Sequence, residues 1–283
     1  MRQPEERVFD LDGISLAARY WPGEGVPLLA LHGWLDNAAS FQPLAELLEN
    51  PVLALDQAGH GHSGHRPAGQ MPHFVDYVRD VQQVLAYTGW QKCVLLGHSM
   101  GAGVASLFAG AFPGVLRALV LVEGLGPLSE AAEEAPARLR RALEGMGLLG
   151  EKEKRLYASR KEAVQARMGG FGGLGEQAAG LLCERALQAV EGGWQWRADP
   201  RLRLATPLRM TEEQVASFLR AIECPVLLIS GDQGLGAGDA FVHRTALVPD
   251  LEEVRLEGSH HLHMENPVPV ADALRGFLHR GGG

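Results

Sequence analysis

Short apolar, β-rich runs alternate along this chain with longer helical patterns, and few architectures accept that alternation. The runs at 28–31, 52–55, 94–96 and 119–122 are apolar throughout rather than at every second residue. Strands of that kind are buried on both faces, so helices must cover both sides of a mostly parallel sheet. At the start, residues 8–11 and 14–20 flank Asp12-Gly13. That dipeptide suits a tight hairpin, because its glycine takes positive φ without steric cost. The pattern resumes at 226–229 and 254–256, which predicts eight strands.

Between them, from about 125 to 221, no strand pattern is evident. Helical stretches occupy 135–143, 152–167 and 211–219, the last opening with a Thr-x-x-Gln capping box at Thr211 and Gln214. The glycine-rich run at 169–175 reads as loop. Because the sheet returns at Pro225, the segment is an insertion. Residues 1–124 and 223–283 are expected to form the core, with 125–222 a helical lid over the sheet's carboxyl edge.

The chain has 283 residues, 46% hydrophobic and 21% charged, which suits a folded domain of this size. Its formal net charge of -8 and lack of a basic stripe argue against a nucleic-acid surface. The run from Glu151 to Arg155 is mixed in sign and reads as a solvated helix face. Cys93, Cys183 and Cys224 offer neither a metal pair nor an even disulfide framework, so a reducing cytoplasm is expected. The polar N-terminus has no signal-peptide pattern, and no apolar run reaches membrane-spanning length.

Chemistry enters at Gly97-His98-Ser99-Met100-Gly101. A G-x-S-x-G string is weak evidence alone, but here a buried strand (93–96) precedes it and a small-residue helix (102–112) follows. A serine on such a turn presents its hydroxyl outward, and the helix that starts there aims amide donors at a developing oxyanion. Ser99 is therefore the candidate nucleophile. The run at 28–31 leads into His32-Gly33-Trp34-Leu35-Asp36-Asn37, followed by a helix near 41–48, which fits the loop supplying a second oxyanion amide. The donors are assigned to the backbone N–H groups of Trp34 and Met100, while Asn37 either orients substrate or caps a turn. Gly59-His60-Gly61-His62-Ser63-Gly64 matches a dinucleotide fingerprint in letters only. It does not open a helix and follows a later strand, so no cofactor is expected.

The general base must come from a loop at the same sheet edge as Ser99. Gly258-Ser259-His260-His261-Leu262-His263 is the last such loop. His260, the first histidine after the turn, is the candidate, with His261 the fallback. A metal reading of these histidines lacks carboxylate or thiolate partners at helical spacing, so no metal is expected.

Together, His32-Gly33-Trp34, Asp56-x-x-Gly59-x-Gly61-x-Ser63, the Ser99 turn and His260-x-x-His263 resemble the lidded α/β-hydrolases. The run from Leu31 to Phe41 more narrowly resembles the serine-hydrolase-like proteins. The resemblance implies an α/β-hydrolase fold and a Ser-His-acid triad. That family usually carries its acid three residues after the glycine ending the strand at 226–229, and here Gly231-Asp232-Gln233-Gly234 puts glycine there. Asp232 is one replacement. The other is Glu123, in a segment similar to haloalkane dehalogenases whose acid is a glutamate four residues before a proline. Glu123 is preferred, because a triad is defined by geometry rather than chain order.

The expected reaction is acyl transfer on a small-molecule ester through an acyl-enzyme on Ser99. Trp194, Trp196, Phe171 and Met146 of the lid are expected to line an apolar acyl pocket. C–C bond hydrolysis or perhydrolysis on the same fold, and a non-catalytic ligand-binding role, remain open alternatives.

Overall fold

The computed structural model describes residues 2–149, 154–235 and 241–280. Strands β1 (Glu5–Leu11) and β2 (Ile14–Trp21) form the N-terminal hairpin, with Leu11 opposite Ile14 and Gly13 at φ 83° in the turn. Then come β3 (Leu28–Leu31), β4 (Val52–Leu55), β5 (Cys93–His98) and β6 (Leu116–Val122). All four residues of β3 and of β4 are buried, as their unbroken apolar runs require.

Three helices belong to this half: α1 (Gln42–Ala45), α2 (Phe74–Thr88) and α3 (Met100–Ala111). In the insertion lie α4 (Ala135–Leu148), α5 (Arg160–Met168), α6 (Glu176–Ala186) and α7 (Glu212–Arg220). The Thr211–Gln214 capping box that opens α7 is formed in both directions. The Glu151 to Glu153 part of the mixed charge run, and the expected helix start at Lys152, fall outside the described residues.

The insertion also holds a feature that its sequence pattern did not suggest. Strands β7 (Leu187–Val190) and β8 (Gly193–Trp196) pair antiparallel around Glu191-Gly192. Four residues a side is too short for a clear alternation, although Gly192 in the turn was a usable signal. Helix α7 also covers the sheet: its Val215 and Leu219 pack into the core cluster with Val104, Phe108 and Leu119.

The sheet closes with β9 (Val226–Gly231) and β10 (Leu251–Leu256). Helices α8 (Val242–Thr245), α9 (Leu262–Glu265) and α10 (Pro267–Arg280) complete the chain. The eight strands of the main sheet run in the order β1-β2-β4-β3-β5-β6-β9-β10, parallel from β4 onward. Side chains such as Leu29, Leu95 and Phe108 fill one face, and Trp21, Phe41, Leu96 and Leu274 fill the other. No helix among the described residues is long and apolar enough to cross a membrane.

A buried ion pair of Arg185 ties the insertion to the core. Arg185 of α6 donates from Nε to Asp56 Oδ2 at 2.7 Å, and from its NH1 nitrogen to Glu6 Oε1 at 2.7 Å. Asp56, at the end of β4, also accepts from the amides of Ala38 and His62. Arg185→Met strands the Asp56 charge in the interior, and stability should fall by roughly 3–5 kcal/mol. Urea unfolding followed by circular dichroism measures that loss.

Candidate active site

Strand β5 must hand over to α3 without a connecting loop. Ser99 makes the turn alone at φ 51° and ψ −111°, its amide donating to Val122 O at 2.9 Å and its carbonyl accepting from Gly103 N. Positive φ is costly for a side-chain-bearing residue and persists only where the surroundings enforce it. Here α3 lies so close to β3 that a Cβ on Gly101 would overlap the Leu31 carbonyl. Among the described residues, the non-glycine positions at positive φ are Leu35, Ser99 and Glu123. They follow the carboxyl ends of β3, β5 and β6, so the strain is concentrated at one place.

The Ser99 hydroxyl lies 3.0 Å from His260 Nε2, and His260 Nδ1 lies 3.2 Å from Glu123 Oε2. A carboxylate only accepts, so Nδ1–H donates to Glu123 and Nε2 presents a lone pair to the serine. Both partners of Ser99 are buried, Glu123 at 1% exposure and His260 at 5%. Glu123 is fixed by two further donors, Gly231 N to Oε1 at 2.6 Å and Leu235 N to Oε2 at 2.5 Å.

Asp232 is not part of this relay. It is exposed, and its carboxylate accepts from Gly258 N at 2.9 Å, bracing the turn before His260. Gly234 explains why the position normally given to the acid is empty: a Cβ there would overlap both carboxylate oxygens of Glu123. Trp34 and Met100 border the same cavity as Ser99. Met100 opens α3, so its amide has no acceptor within the helix. Asn37 is a capping residue, with Oδ1 accepting from Ala39 N and Nδ2 donating to Leu182 O.

Behind the relay lies a polar cluster that the sequence pattern did not reveal, since no spacing rule joins its members. Asp36 sits 3.3 Å from His261 Nε2, 3.6 Å from His98 Nδ1 and 2.6 Å from the Arg167 guanidinium of α5. His98 in turn donates from Nε2 to the His260 carbonyl at 2.9 Å, and His263 Nε2 meets Ser40 Oγ at 2.7 Å. His261, the fallback base, thus faces Asp36 rather than Ser99. Asp36, His98 and His261 bring a carboxylate and two imidazoles within 4.8 Å of one another, a donor set of metal-ligand type. The Arg167 charge on the same carboxylate opposes a cation there.

Burial pushes the Asp36 carboxyl upward, but the hydrogen bond and charge of His261, then Arg167, outweigh it and hold the group well below the usual range. His98 is also lowered well below its ordinary value, but in its case because burial disfavours the charged ring, with the neighbouring rings of His263, His260 and His261 adding to it.

The cavity in front of Ser99 has a volume of about 670 Å³. Phe171 borders it and meets the His260 ring edge-on at a centroid distance of 5.3 Å. The other expected pocket residues lie elsewhere. Trp194 and Trp196 pack with Tyr157, Ala163 and Leu187 in a separate cluster, and Met146 is not among the lining residues. Leu202, Leu204, Leu208 and Met210 take their place, from an irregular segment that carries no periodic signal.

The sequence profile of the alpha/beta hydrolase fold matches residues 26–267. The chain belongs to the α/β-hydrolase fold family. A serine hydrolase-like protein of Danio rerio is 30% identical over 278 residues, covering 93% of this chain and 85% of that protein. The crystal structure of a hypothetical protein from Pseudomonas aeruginosa PAO1 superposes with a TM-score of 0.92 at 43% identity, covering 97% of this chain and 99% of that one. The 2-(acetamidomethylene)succinate hydrolase of Mesorhizobium japonicum is 26% identical over 278 residues, covering 96% of this chain and 94% of that enzyme.

Two outcomes follow from this geometry. Gly234→Ala should destabilise the fold by about 1–3 kcal/mol through overpacking, and the penalty should largely vanish in a Glu123→Ala background. A double-mutant cycle of thermal unfolding measures that coupling. Acid should also weaken the protein, because burial holds His32 down to about 4 and His60 and His263 down to about 3. Folded values below the unfolded value of about 6.5 mean that the unfolded chain takes up protons first as pH falls. The stabilisation is complete above that value and lost on the way down to the folded ones, so calorimetric Tm should drop steadily from pH 7 to pH 4.

Proposed function

We propose that this chain hydrolyses a small or medium carboxylic ester, or a similar acyl substrate, through an acyl-enzyme on Ser99. The observation that carries the reading is the continuous hydrogen-bond relay from Ser99 through His260 to Glu123, opening on an apolar cavity. His260 takes the hydroxyl proton at Nε2 as Ser99 Oγ attacks the carbonyl carbon. The oxyanion is then held by the amides of Trp34 and Met100. Collapse of that intermediate returns the proton to the leaving group. Water, deprotonated by the same nitrogen, then attacks the acyl-enzyme and frees the acid.

Glu123 keeps Nδ1 protonated and offsets the imidazolium charge that forms in each half-reaction. Phe171, over the His260 ring, supports a lid role for the insertion at 125–222, with 1–124 and 223–283 as the catalytic core. The free cysteines support a reducing, cytoplasmic location.

A fluorophosphonate probe should label the folded protein at Ser99 and should not label Ser99→Ala. With p-nitrophenyl esters, Glu123→Gln should lose roughly 10³–10⁴ in kcat, while Asp232→Asn stays near wild type. Failure of the folded wild type to label, or the reverse ranking of the two acid variants, overturns the assignment.

A further inference from the structure

The cavity before Ser99 is mainly apolar, yet its charged lining is one-sided. Among the described residues, four arginines border it, Arg138, Arg201, Arg203 and Arg209, against one carboxylate, Glu123. Glu123 is engaged by His260 and two amides, which removes it as a partner for anything in the cavity. This is unexpected in a chain whose net charge is -8.

Two of the arginines are neutralised within the protein. Arg138 grips both oxygens of Glu130, and Arg201 is bound by Asp199 and by the carbonyls of Arg66, Pro67 and Gln70. Arg203 and Arg209 make no hydrogen bond or ion pair to any described residue, although both line the cavity. Arg209 also stands among like charges. Burial, then the Arg138 charge, pushes its guanidinium below the ordinary value; Glu130 opposes this in part, and Arg141 adds to it. A guanidinium left unpaired beside other guanidinium groups gains most from an incoming anion, which it can grip with parallel N–H donors.

We propose that the cavity takes a substrate bearing an anionic group, a carboxylate or phosphate, at the end remote from the scissile carbonyl, bound by Arg203 and Arg209. The apolar walls, including Leu204, Leu208 and Met210, hold the chain that separates the two ends. The inference rests on the reading of Ser99 as the nucleophile facing this cavity. An acidic surface repels anions in general, while a locally positive cleft concentrates those able to enter it.

Paired substrates test this and distinguish the two sides of the bond that can carry the anion. In one arm, p-nitrophenyl half-esters of dicarboxylic acids are compared with neutral counterparts whose far carboxyl is a methyl ester. In the other, acyl-coenzyme A thioesters are compared with acyl-N-acetylcysteamine thioesters. In at least one arm, kcat/KM for the anionic member should exceed its neutral partner by about tenfold, as a charged hydrogen bond allows. The ratio should fall toward unity in Arg203→Gln/Arg209→Gln and at high salt.

Ratios at or below unity in both arms overturn the proposal, as does a preference that the double substitution leaves intact. Calorimetric binding of the same pairs to Ser99→Ala reads the preference without chemistry. Absent turnover therefore counts against the Ser99 mechanism, and equal affinities count against the anion subsite.

Discussion

Everything at the candidate site depends on one reversal of direction. Strand β5 and helix α3 are joined through a single residue, and the helix can leave the strand at that angle only if Ser99 adopts positive φ. The conformation is unfavourable in isolation, so it is held from both sides: Val122 accepts the Ser99 amide, and α3 is packed against β3 with no room for a side chain at Gly101. The core of the sheet supplies the energy that keeps the serine in this state. A looser junction would bury the hydroxyl or turn it aside.

Around that junction, the parallel sheet gathers parts from distant stretches of sequence. Loops after β3, β5, β6 and β10 open on the same edge because the strands run in the same direction. Trp34, Ser99, Glu123 and His260 are thereby brought together with most of the chain lying between the first and the last. The cluster behind them joins the same loops a second time, with Asp36 touching the histidine loop through His261 and the insertion through Arg167.

What the sequence made legible were local signals. The Asp12-Gly13 hairpin, the Thr211 capping box and the strand-turn-helix around Ser99 each lie within a few residues and follow from backbone chemistry. The identity of the acid was harder, because Glu123 and Asp232 both follow strands at the correct edge. The choice rests on the direction of one side chain and on the space left by Gly234. The β7–β8 hairpin is too short to impose a period. The wall formed by Leu202, Leu204, Leu208 and Met210 belongs to an irregular segment whose course is set by tertiary contacts. Trp194 and Trp196, the conspicuous aromatic residues of the insertion, build its interior instead.

The position of Glu123 divides the relay unevenly across the fold. Ser99 and Glu123 sit at the ends of adjacent strands near the middle of the sheet, and their amides extend its ladder to Val122 and Ile229. His260 lies in a loop beyond the edge strand β10, tied back by the His98 ring. Regions of a protein open independently, with loops opening at lower cost than central strands. A brief excursion of the C-terminal loop would thus break the relay while leaving Ser99 and Glu123 in register, and restoring it would need only the return of one imidazole.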